Sequence, residues 1–140
     1  MNPLPAGSTL YYRAFAISGT SRRFTEQGQC VTLPPAPMAL NATNIASASF
    51  YANWTSASGA SGYTIDVAND AAFLACLAGY SNSPCGNALT LKITGMHPSD
   101  NTAYCRIRAT NESGSSANSG TITVLLRPFN ATIYMLLYDE

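Results

Sequence analysis

Two stretches of the chain are near copies of one another. LYYRAFAISG begins at Leu10, and AYCRIRATNESG begins at Ala103. Setting Pro5 against Pro98 gives an offset of 93 residues. At that offset Leu10, Tyr12, Ala14 and Ala16 fall on Ala103, Cys105, Ile107 and Ala109, Arg13 falls on Arg106, and Val31 meets Val124. A repeat of this length sets the size of the folding unit. In 140 residues it leaves room for one whole unit and a fragment. Residues 1–33 therefore read as the last two strands of a first unit, residues 34–127 as a complete second unit, and residues 128–140 as an added C-terminal strand.

The second unit alternates with period two between clusters of turn residues, the pattern of half-buried strands. SFYANW sets Phe50, Ala52 and Trp54 on one face, and GYTIDV sets Tyr63, Ile65 and Val67 on one face. ALTLKI groups Leu89, Leu91 and Ile93. AYCRIRA turns Ala103, Cys105, Ile107 and Ala109 inward and Tyr104, Arg106 and Arg108 outward, and GTITVLL pairs Ile122 with Val124. A leading strand near Met38 to Ile45 makes at least six. NDAAFLACLAG, from Asn69 to Gly79, is the one stretch with the pattern of a short helical turn. Many short strands with turns between them predict an all-β sandwich.

Composition narrows the function classes. Charged residues make up 10% of the chain, against roughly 25% in ordinary soluble domains, and the formal net charge is zero. That excludes the basic surface that nucleic acid or an anionic membrane would need. No run approaches the ~18–20 apolar residues of a membrane helix, so no membrane insertion is expected. MNPLPAGST carries neither a basic region nor an apolar stretch and does not read as a signal peptide. Cys76 and Cys85 flank the turn-rich LAGYSNSP, and a disulfide between them is expected. Closing so short a loop contributes roughly 2–3 kcal/mol in the chain-entropy model. The alternative is four reduced thiols, and a partner for Cys30 or Cys105 stays open.

The run from PPAPMAL through SFYANW, SGYTIDV, LKITGMHP, TAYCRIRATNESG and SGTITV resembles a fibronectin type III domain, and within that family the kind found in bacterial secreted and cell-surface proteins. The pieces that carry the resemblance are Trp54 on the second strand, Tyr63 opening the third, the GMHP turn, and the run from Arg106 to Asn111. One position departs from the family. Where the penultimate strand usually opens on a Tyr, this chain has Ala103, and Leu10 in the first copy. The resemblance implies an immunoglobulin-like sandwich of about seven strands, a tandem array and an extracellular or cell-surface location. A fold of this kind fixes no single function.

Candidate sites are few. His97 is the one histidine and lies in a turn without the partners of a triad or a metal centre. Asp66, Asn69, Asp70 and Asp100 are scattered acids and amides, read as solvated rather than as a calcium site. There are no paired carboxylates, no phosphate-binding Gly-rich loop and no activated nucleophile motif. The chain is thus expected to be no enzyme and to hold no cofactor or metal. Asn41, Asn53, Asn111 and Asn130 head glycosylation sequons, with Asn53 expected on an outer face and Asn111 in a turn. Tyr11, Tyr80 and Tyr104 are candidates for a glycan-binding groove, against simple cross-strand packing.

Two features point to self-association. The N-terminal hairpin presents Leu10 and Tyr12 with no sandwich of its own, and a lone hairpin is not stable in water. The segment from Ala131 to Tyr138 has no charge, Pro or Gly and reads as a strand without a sheet, with Ile133 and Met135 as its apolar contacts. Joining the two by strand addition gives a head-to-tail fibril of copies of this chain, a structural or adhesive module. The alternatives are a spacer or accessory module of a secreted polysaccharide-active enzyme, or an adhesin for protein or glycan.

Overall fold

The computed structural model describes residues 4–97 and 100–127. Among these residues the chain forms twelve short strands and no helix. The N-terminal part is an antiparallel ribbon of β1 (Thr9–Tyr12), β2 (Phe15–Ser18), β3 (Ser21–Phe24) and β4 (Gly28–Val31). β1 pairs with β4, and β2 pairs with β3 across the Gly19–Thr20 turn. The ladder breaks at Arg13, but Thr25 N donates to the Ala14 carbonyl at 2.9 Å, and Ala14 N donates to Thr25 Oγ1 at 3.0 Å. The two halves are therefore one continuous ribbon. Its closing pair, Ser18 with Ser21, lies at the repeat offset from Asn111 and Gly114, which close the corresponding hairpin of the second unit.

That second unit is a sandwich of two sheets. β5 (Ala39–Thr43), β6 (Ser49–Trp54) and β9 (Thr90–Thr94) form one. β7 (Gly62–Ala68), β8 (Ser83–Gly86), β10 (Thr102–Asn111), β11 (Gly114–Ser115) and β12 (Ile122–Leu125) form the other, in the order β8, β7, β10, with β11 and β12 both on β10. β11 and β12 are the two ends of one interrupted edge strand. Across the gap the hydroxyls of Ser116 and Ser119 accept from the amides of Ala109 and Ile107, both at 3.0 Å. The Ser-rich composition here keeps β10 satisfied where the ladder is broken.

The alternation read from the sequence is the alternation that buries. Phe50, Ala52, Trp54 and Ile93 face Tyr63, Ile65, Val67, Ala103, Cys105, Ile107, Ala109 and Val124 in one core. Trp54 and Tyr63 pack with ring centroids 5.9 Å apart, and the Tyr63 hydroxyl accepts from Ala57 N at 2.9 Å. Ala103, where the family usually has a Tyr, is buried in the core. The Tyr80 hydroxyl accepts from Thr94 N at 3.1 Å, tying the end of β9 to the opposite side of the sandwich. Tyr80 is thus a packing residue that leans on the core.

Three expectations need correction. Asn69 to Gly79 forms turns and one bridge, Ala68 to Cys76, instead of a helical turn. Asp70 decides this: its carboxylate accepts from the amides of Ala72, Leu74 and Ala75, folding the loop around a side chain. Leu89 is 42% exposed, because β9 starts after it and its carbonyl is used by Trp54 N. Cys76 and Cys85 are not bonded; all four cysteines are thiols. The register explains why. Cys76 sits opposite Ala68, whereas Cys85 lies between Pro84 and Gly86, which face Thr64 and Tyr63. Four or five residues along β7 amount to roughly 13–16 Å, far beyond the ~7 Å limit for a disulfide.

Candidate interaction site at the junction

No cluster of three or more His, Cys, Asp or Glu side chains gathers among the described residues. The most developed non-core contact is instead the junction where the ribbon meets the sandwich. Asn111, at the end of β10, uses its side-chain amide as a clamp. Nδ2 donates to the Thr32 carbonyl at 2.9 Å and to the Gly59 carbonyl at 3.2 Å. Its Oδ1 accepts from Ser113 N at 2.9 Å, which shapes the turn. The Ser113 hydroxyl donates to the Val31 carbonyl. One turn of the sandwich therefore holds the last carbonyls of the ribbon.

A second contact reinforces it. Gly7 and Gly59 touch backbone to backbone with φ of 64° and 69°, and a Cβ on either would overlap the other loop. Both features require glycine, the first steric and the second conformational. Gly7 N donates to Leu33 O at 2.8 Å and Thr32 N to Ser8 O at 2.9 Å, so the linker folds back on its own ribbon before entering Pro34. Gly114 stands against the Leu33 side chain. A cleft of about 320 Å³ remains, lined by Thr9, Val31, Ser61 and Asn111 among others.

Away from the junction the ribbon has no covering sheet among the described residues. Tyr12 is 61% exposed and Phe15, Ile17 and Phe24 are comparably open, while Leu10 is half-buried opposite Cys30. Phe15 and Phe24 pack on each other with centroids 5.6 Å apart. Ile133 and Met135, expected to meet Leu10 and Tyr12, lie outside the described residues, as does the sequon at Asn130.

A site not anticipated from the sequence lies on the outer face of the larger sheet. Asp66 is buried at 3% exposure although it alternates with core residues. Arg106 Nε and Arg108 Nη2 both donate to its Oδ2 at 2.9 Å, and Asn82 N donates to Oδ1 at 2.6 Å. Phe73 lies over the Arg106 guanidinium at 4.1 Å from the ring centroid. Burial pushes the Asp66 pKa up, but the Asn82 amide and the two guanidiniums more than offset it and hold the pKa below the usual carboxylate range. Asp66 faces Arg106 directly across the strands. The sequence signal was an acid and an R-x-R on outward positions; the missing knowledge was their register.

The remaining candidates are separated. Asp70 caps its loop, and Asp100 Oδ2 accepts from His97 N at 2.8 Å in a surface turn. Asn53 lies on an outer face, where Nδ2 donates to Asn41 O at 3.0 Å and Oδ1 accepts from Thr90 Oγ1 at 2.8 Å. Asn41 is exposed. Tyr104 sits on β10 and Tyr11 on the ribbon, and the Tyr80 hydroxyl accepts from Thr94 N. Cys105 is buried between the sheets and its thiol is pushed up to about 12, and burial raises Cys85 to about 11. Cys30 is exposed on the ribbon, so it does not bridge Cys105.

The chain matches solved structures. A fibronectin type III domain derived from the human KIAA0970 protein superposes with a TM-score of 0.53 at 10% identity, covering 66% of this chain and 73% of that one. The fold is that of a fibronectin type III domain. The FN1-FN3 domains of chicken CNTN1 match 89% of this chain at 17% identity and a TM-score of 0.51, and the match spans 44% of that chain. A beta-1,2-glucanase from Parabacteroides distasonis matches 79% of this chain at 13% identity and a TM-score of 0.55, over 16% of its own length. These matches single out no bacterial type of fibronectin type III domain. No family model and no curated protein matches the sequence.

Proposed function

We propose that the chain is a non-catalytic extracellular or cell-surface module, a link in an end-to-end array of fibronectin type III units whose junction is held rigid. The observation that carries this is the clamp of Asn111 and Ser113 on the last carbonyls of the ribbon, at Thr32 and Val31. An array that transmits force or sets a spacing needs neighbouring units held at one angle, and inter-domain contacts without such bonds default to relative motion. The match to CNTN1 over 89% of this chain, ribbon included, supports a tandem arrangement. The test is NMR relaxation on the full chain. Ribbon and sandwich should tumble as one body. Independent tumbling rejects the rigid link.

A second reading follows from the open apolar face of the ribbon. Tyr12 is exposed on the face that a fibronectin unit would cover with five more strands, while Phe15, Ile17 and Phe24 are exposed elsewhere on the ribbon. We infer that a copy of the chain covers part of this face by strand addition, with Ile133 and Met135 of one molecule against Leu10 and Tyr12 of the next. Main-chain pairing would supply affinity and alternate side chains the register. Sedimentation of the full chain and of a chain ended at Pro128 tests this. Polymer for the first and monomer for the second supports it; monomers for both rejects it. An accessory role beside a polysaccharide-active domain is the remaining proposal. It rests on the presence of this fold within the glucanase chain.

A further inference from the structure

We propose that Asn111 is a modification-gated latch: attachment of a glycan to its side-chain nitrogen and closure of the junction exclude each other. This rests on the rigid-link reading and adds its regulation. Asn111, Glu112 and Ser113 form an N-x-S sequon. Both of its working side chains are turned onto the junction. The two Nδ2 hydrogens go to the carbonyls of Thr32 at 2.9 Å and Gly59 at 3.2 Å, and the Ser113 hydroxyl goes to Val31 O. The amide has no hydrogen left over.

The chemistry of transfer makes the exclusion strict. With a lipid-linked oligosaccharide diphosphate as donor, Nδ2 displaces the diphosphate at the anomeric carbon. A C–N bond forms, the C–O bond to diphosphate breaks, and one Nδ2 proton leaves with the diphosphate. A single N–H remains for two carbonyls, so one clamp bond must go. The sugar ring then stands where a carbonyl stood, between loops already so close that neither Gly7 nor Gly59 has room for a Cβ. Modification at the other described sequons has no such consequence. Asn41 is exposed, and the Asn53 amide bonds stay within its own sheet, to Asn41, Thr43 and Tyr51.

The experiment uses the full chain secreted from a host that N-glycosylates, with Glu112→Pro as the control. Proline between Asn and Ser blocks the sequon and suits the first central position of a turn, leaving both clamp side chains in place. Site occupancy is read by mass spectrometry, and junction closure by NMR relaxation, which reads whether ribbon and sandwich tumble as one body. Molecules carrying a glycan on Asn111 should lose the joint tumbling that E112P keeps. Joint tumbling of the glycosylated form overturns the proposal. So does an unmodified Asn111 on chains whose Asn41 is occupied, because the latch would then never be gated. Separate tumbling in E112P and in unglycosylated wild type alike would instead reject the rigid link on which the proposal stands.

Discussion

Gly7 and Gly59 meet backbone to backbone, each in a left-handed conformation, and neither loop leaves room for a side chain on the other. They belong to different units of the repeat, so this contact fixes how the units approach. Gly7→Val should open the junction without touching the sandwich core. Positive φ alone costs a branched residue about 1–3 kcal/mol, and the steric overlap adds to it. Ribbon and sandwich should then tumble separately in NMR relaxation, while the amides of Ile65 and Ile107 stay protected. Joint tumbling in the variant would show that the Gly–Gly contact holds nothing.

Asp66 should be the ionisable group on which the larger sheet most depends. Asp66→Asn leaves two guanidiniums sharing a neutral amide, and the lost charge-assisted bonds should cost about 2–3 kcal/mol. Because the folded pKa is depressed, the stabilisation is fully present above the ordinary carboxylate pKa. It is lost as pH falls through the folded value. Wild-type denaturation midpoints should therefore drop below about pH 4, and the D66N curve should drop less. Parallel curves would remove Asp66 from the account.

Trp54 should be the costliest single residue to truncate. It is 2% exposed and packs on Tyr63 between the sheets. Trp54→Ala should lose roughly 3–5 kcal/mol, enough to unfold a domain of this size. A wild-type melting temperature in that variant would contradict the packing.

The thiols should differ in reactivity and none should be bridged. Intact mass should not change on reduction. Alkylation of the native chain near pH 8 should label Cys30 first, since it is exposed, and should spare Cys85 and Cys105, whose pKa values burial raises to about 11 and about 12. A mass gain of about two hydrogens per bridge on reduction would restore a disulfide and refute the register of β7 against β8.

The sequence alone determined the sandwich. Period-two alternation in SFYANW, GYTIDV and AYCRIRA names the buried faces because successive side chains in a strand must point to opposite sides. The repeat between Leu10 and Ala103 likewise marks the ribbon as a second copy of the β10 hairpin. Tertiary structure decided what depends on register and approach. Cys76 and Cys85 are close in sequence, yet β7 holds them apart, since pairing distance is set by the neighbouring strand and not by loop length. Asp66 reads as a solvated acid until β10 places Arg106 opposite it and Phe73 covers the pair. Asn111 reads as an open turn until a ribbon some 80 residues away brings the Thr32 carbonyl within 2.9 Å. No local pattern encodes such contacts, because both partners are ordinary residues that acquire their role only when two separately folded surfaces meet.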